Sequence, residues 1–126
     1  MEEMILAYIS GPISAPDIDT LDANIQRGSN MAKRVWELGY GAHCPHLNTG
    51  FAGAEKIPHA QYMAFDLRIL RACDVVIMLD GWEKSVVAEM EFREAMTLNI
   101  PVFYENDKDL AIKLANLDYE LNGVIS

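Results

Sequence analysis

Asp74-Val75-Val76-Ile77-Met78-Leu79, followed at once by Asp80-Gly81, decides the fold. A short run that is apolar almost throughout and ends at a turn pair reads as a strand buried on both faces. Ile5-Leu6-Ala7-Tyr8-Ile9-Ser10, closed by Gly11-Pro12, reads the same way. Fully buried strands belong to parallel sheets covered by helices on both sides. Working outward, helical spacing predicts a helix over residues 21–38 (Leu21, Ile25, Ala32, Val35, Leu38), capped by Asp19 or Thr20 and stopped by Gly39. Residues 40–44 form a weaker strand closed by Pro45, and 46–58 a long loop with Gly50, Gly53 and Pro58. Helices follow over 59–72, 85–98 and 108–117, with a fourth strand over 100–104. The pattern is α/β: a flavodoxin-like, three-layer sandwich with a parallel sheet of four or five strands and right-handed crossovers.

Composition narrows the function. Ten Lys and Arg against nineteen Asp and Glu give a net charge of −9, which disfavours duplex nucleic acid as a partner. A substrate carrying one phosphate stays open, because local donors outweigh net charge. The 126 residues suit a single domain over 1–126, without repeats or linkers. No apolar run reaches the roughly 18 residues of a membrane span. The acidic start, Met1-Glu2-Glu3-Met4, is unlike a signal peptide. With only Cys44 and Cys73, the simplest expectation is a reduced, cytoplasmic protein with Cys73 in the core.

In a parallel sheet the ligand crevice lies beyond the carboxyl ends of the strands. That rule nominates the loops 11–14, 45–53 and 80–85. The candidate binding residues are Gly11, Pro12, Ile13, Ser14, His46, Asn48, Asp80, Trp82 and Ser85, with Tyr8 in the first strand. Ser85 is placed to cap the third helix, where free amides and the positive dipole end suit an anion; an ordinary N-cap is the simpler alternative. Tyr8, Tyr62 and Trp82 are aromatics able to stack on a base, or plain core residues. His43-Cys44-Pro45-His46 has the residue types of a metal site, but its spacing matches no standard zinc pattern and no second ligand pair follows, so neither metal nor cofactor is expected. Nucleophile-elbow, phosphate-loop and dinucleotide-fold fingerprints are absent.

Two acids stand on the wrong helical faces. Turning at 100° per residue puts Glu89, Arg93 and Thr97 on one polar stripe of the third helix, with Val87, Ala88, Phe92, Ala95 and Leu98 opposite. Glu91 falls inside that apolar arc. In the second helix Asp66 falls among Tyr62, Met63, Leu67, Ile69 and Leu70. A buried, unpaired carboxylate costs several kcal/mol or takes up a proton. Two of them on the helices flanking the strongest strand point to catalytic or substrate-binding acids. The competing reading is structural ion pairs.

These residues also resemble a family. Tyr8-Ile9-Ser10-Gly11-Pro12-Ile13, Cys44-Pro45-His46-Leu47-Asn48-Thr49, Asp66-Leu67 with Ile69-Leu70 and Cys73-Asp74, and Gly81-Trp82-Glu83-Lys84-Ser85 with Glu91 six residues on are similar to the nucleoside 2-deoxyribosyltransferase-like superfamily, in its small bacterial and phage branch. The likeness covers roughly residues 4–104. It implies a flavodoxin-like sheet, cleavage of N-glycosidic bonds, Glu91 as catalytic glutamate and Asp66 holding the substrate near the scissile bond. A serine at the position of Ser85 goes with binding the phosphate of nucleoside 5′-monophosphates. It also implies homodimers or larger assemblies. The sequence departs from the pattern at Val86-Val87-Ala88, where relatives usually carry a glycine, and a Cβ there narrows the phosphate site.

The leading expectation is an enzyme acting on a nucleoside or nucleotide. Glu91 attacks the anomeric carbon, Asp66 binds the sugar or protonates the departing base, Ser85 holds a phosphate, and Trp82 or Tyr8 packs on the base. The alternatives are a non-catalytic nucleotide-binding or sequestering module, and an interaction domain with Asp66 and Glu91 in ion pairs.

Overall fold

Side chains alternate between the two faces of a strand, and here both faces are apolar. In the computed structural model, which describes residues 3–13, 15–47 and 52–123, four parallel strands are ordered β2-β1-β3-β4. They are β1 (Leu6–Ser10), β2 (Gly41–His43), β3 (Val75–Met78) and β4 (Val102–Tyr104). Four helices accompany them: α1 (Ile18–Glu37), α2 (His59–Ala72), α3 (Val86–Thr97) and α4 (Leu110–Asn122). Order and direction are those of a flavodoxin-like sheet over four strands.

Two cores form, one on each face. Ile5, Ala7, Ile9, Val75, Ile77 and Leu79 pack with Met31, Ala32 and Val35 of α1 and Leu110, Leu114 and Leu117 of α4. The alternate residues, Tyr8, Val76 and Met78, pack with Leu70 of α2 and Ala88 and Ala95 of α3. All four β3 residues are buried. At roughly 1.5–3 kcal/mol for each large apolar side chain, this burial explains the unbroken run from Val75 to Met78. Asp74 lies just outside the ladder, and its carboxylate accepts from the Leu6 N–H at 2.9 Å. β2 and β4 are edge strands of three residues each, consistent with their weaker patterns.

The helix ends depart from expectation in two places. α1 starts at Ile18 rather than 21, because Asp17 is the cap: its carboxylate accepts from Thr20 N at 2.8 Å and from Thr20 Oγ1 at 2.9 Å. α4 runs past 117 to Asn122, whose side-chain amide donates to Asp118 Oδ1 at 2.7 Å and to the Glu3 carbonyl at 2.9 Å before Gly123 turns the chain at φ +78°. The stretch expected as plain loop holds two 3-10 turns, Pro45–Leu47 and Ala54–Lys56. α2 spans the expected residues, and Ser85 caps α3 by accepting from Ala88 N at 3.2 Å. Ser14 and Asn48 lie outside the described residues.

Candidate functional site

From β1 the chain passes first to β2 on one side and later to β3 on the other, so the carboxyl ends of β1 and β3 flank a topological switch point. A cleft of about 650 Å³ opens there. Pro12 and the 80–87 stretch line it (Asp80, Gly81, Lys84, Ser85, Val86 and Val87), facing Thr20, Asn24 and Arg27 of α1. Gly11 enters this turn because a Cβ would stand 2.6 Å from Leu79 Cβ on the neighbouring strand end. The turn is tied down from two sides. His46 Nε2–H donates to the Pro12 carbonyl at 3.0 Å, and Asn24 Nδ2 donates to the Ile13 carbonyl at 3.3 Å. On the far wall Glu105 Oε1 accepts from Arg27 Nη2 and from the Asp80 amide, both at 2.7 Å, while Arg27 also donates to the Asp80 carbonyl at 2.6 Å.

Glu91 lies beneath α3, against β1. It is 5% exposed. The Tyr8 hydroxyl donates to its Oε2, and Ser10 Oγ donates to its Oε1 at 2.7 Å. Tyr8 and Ser10 are two apart on one strand, so both point to the α3 face. Burial pushes the Glu91 carboxyl above its ordinary range, the two hydroxyls pull it back, nearby Asp66 raises it and His43 lowers it. Burial, with Glu91 beside it, drives the Tyr8 phenol far up, so it stays a donor. The result is a carboxylate gripped by two neutral donors rather than by a cation.

Asp66 projects from α2 toward the end of β2, where His43 Nε2–H meets its Oδ1 at 3.4 Å. Tyr8 and His43 are register partners on β1 and β2, and their rings lie 5.4 Å apart, tilted by 40°. Glu91, Tyr8, His43 and Asp66 therefore lie side by side under α2 and α3, as two hydrogen-bonded pairs joined by ring packing. A void of about 10 Å³ touches Glu91, walled by Met63, Leu67, Val87 and Met90. Val87 also lines the large cleft, so this residue borders both spaces.

The expected site residues divide between these two spaces. Pro12, Asp80 and Ser85 line the cleft; Glu91 does not. Tyr8 is fully buried, so its ring has no open face for a base and instead supports Glu91. Trp82 is stacked on Phe92 at 4.5 Å, which covers one face of the indole. His46, 3% exposed, anchors the Pro12 turn, and burial lowers its tendency to protonate. Tyr62 donates to the Ala54 carbonyl at 2.8 Å. Cys44 and Cys73 are buried thiols pushed up to about 11, hence protonated and poor nucleophiles. Among the described residues no three His, Cys, Asp or Glu side chains gather as a metal site would require, and no helix is long and apolar enough to cross a membrane.

Reading the sequence missed Ser10, Asn24 and Arg27, and weighed His43 only as a metal ligand. Ser10 was accessible in principle, since strand alternation from Tyr8 places it on the same face. Arg27 and Asn24 carry no local signal, because their partners lie across the fold.

A family model described as "Domain of unknown function (DUF4406)" matches residues 5–104. No curated protein matches the chain.

Proposed function

We propose that this chain, which belongs to the DUF4406 family, cleaves the N-glycosidic bond of a nucleoside 5′-monophosphate or nucleoside. The observation that carries the reading is Glu91: a buried carboxylate at the switch point, held by the Tyr8 and Ser10 hydroxyls without a neutralising cation among its hydrogen-bond partners. Such a group is oriented and poorly solvated, as a nucleophile toward an anomeric carbon or a stabiliser of an oxocarbenium-like transition state needs to be. In the first step a Glu91 oxygen bonds to the anomeric carbon, and the C–N bonding pair leaves with the base, which takes a proton from Asp66. Water then attacks the same carbon, frees Glu91 as its carboxylate and returns a proton to Asp66. Ser85 and the α3 amides, with Lys84 and Arg27 in the same cleft, suit a 5′-phosphate. The likeness to nucleoside 2-deoxyribosyltransferases supports the same chemistry. A cytoplasmic location and a homo-oligomer belong to this reading, the oligomer supported by the exposed Phe65 of α2 and Val86 and Met90 of α3.

A second reading, nucleotide binding without cleavage, is favoured by Val87, which stands between the cleft and Glu91. One experiment separates the two. The protein is incubated with a panel of nucleosides and nucleoside monophosphates, and free base and thermal stabilisation are followed. Base release by the wild type that Glu91→Ala abolishes supports cleavage. Stabilisation with the ligand intact supports binding alone.

A further inference from the structure

We propose that His43 is a positioning residue for proton delivery: its Nε2–H fixes the Asp66 carboxyl in the orientation from which Asp66 hands a proton to the departing base. The inference rests on the cleavage reading and goes beyond it, because it concerns what aims the group that delivers the leaving-group proton.

Three observations carry it. First, His43 Nε2 faces Asp66 Oδ1 at 3.4 Å, and a carboxylate only accepts, so the imidazole must present Nε2–H to it. That distance is long, as acid–base contacts often are before a substrate tightens them. Second, the ring is held from both sides, by Tyr8 at 5.4 Å and by Phe65 edge-on at 6.1 Å, so its orientation is set by packing. Third, the titratable groups facing it are Asp66 from α2 and Tyr8 from β1, with Glu91 of α3 beyond Tyr8. His43 and Asp66 act on Glu91 in opposite senses, the first lowering and the second raising its carboxyl.

The proton balance closes. As the C–N bond breaks, its electron pair stays on the base nitrogen, which takes the proton from Asp66 while His43 Nε2–H stays on Asp66 Oδ1. When water opens the glycosyl–Glu91 bond, the water proton returns to Asp66. The sum is nucleoside plus water giving base plus sugar, with the protein unchanged.

The test uses His43→Phe, which keeps a ring between Tyr8 and Phe65 but has no donor for Asp66, beside His43→Gln, which keeps an N–H donor. In His43→Phe kcat should fall by about 10²-fold with KM little changed, and His43→Gln should recover most of that loss. A second readout needs no activity: the ring ¹⁵N shifts of His43 should report a single Nε2–H tautomer in the wild type and a mixture in Asp66→Ala. Wild-type kcat in His43→Phe, or an unaltered tautomer in Asp66→Ala, overturns the positioning role while leaving Glu91 chemistry standing. No base release from any substrate by the wild type overturns the cleavage reading and the positioning role with it.

Discussion

Ser10 Oγ lies 2.7 Å from Glu91 Oε1, so the last residue of β1 grips a carboxylate that α3 carries into the core. Removing that donor with Ser10→Ala should destabilise the fold by about 1–3 kcal/mol, the usual cost of stranding a buried polar group. The cost depends on pH. Burial raises the Glu91 carboxyl, so the folded chain holds this proton more tightly than the unfolded chain does. Its stabilising contribution is complete below the ordinary glutamate range and is lost as pH rises through the folded value. Ser10→Ala should therefore cost more at pH 8 than at pH 4, and Glu91→Gln should flatten the fall in stability over the same interval. Denaturant melts at several pH values measure both effects.

Val87 forms the wall shared by the cleft and the void beside Glu91. Val87→Gly should open that wall. A carboxyl-directed carbodiimide should then label Glu91 faster than in the wild type, and base release should rise. Glycine in the first turn of α3 should cost about 1 kcal/mol of stability. Peptide mapping after labelling reads accessibility independently of activity, and equal labelling in the two proteins would refute the gate.

Gly11 has no room for a side chain, since its Cβ would meet Leu79 Cβ at 2.6 Å and Leu79 Cδ1 at 2.9 Å. Gly11→Ala should push β1 and β3 apart at the switch point and cost about 1–3 kcal/mol, as overpacking does. Thermal unfolding reads the loss. A melting temperature equal to that of the wild type would show that the turn relaxes freely.

Glu105 Oε1 joins Arg27 and the Asp80 amide, so one carboxylate links β4, α1 and the turn after β3. Glu105→Gln keeps the shape and removes the charge. The Asp80 amide should exchange with solvent about tenfold faster, equivalent to about 1.4 kcal/mol, while amides of β3 keep their protection. Hydrogen exchange resolved by residue checks this.

The fold is legible where one periodicity dominates. The run from Val75 to Met78 is readable because burial on both faces decides it, and the helix over 59–72 because Pro58 marks its start and one helical period runs through it. The start of α1 is not, because Asp17 competes with Asp19 and Thr20 and only the backbone geometry selects it. Glu91 is legible as a carboxylate where its helix turns inward, and the structure buries it. Asp66 is buried less completely, with 17% of its side chain exposed. His43 is invisible as part of the site, because its partner is 23 positions away and nothing local marks the pairing.

The sequence by itself determines that strands and helices alternate, that the central strands are apolar on both faces, and that Glu91 breaks the apolar arc of its helix. These follow from spacing along the chain, with periods of two and 3.6 residues. The tertiary structure alone decides that Tyr8 and Ser10 meet Glu91, that His43 meets Asp66, and that Val87 stands between Glu91 and the open cleft. The reason is physical. Hydrogen bonds and walls of this kind depend on strand register and helix docking, which bring together atoms far apart in the chain.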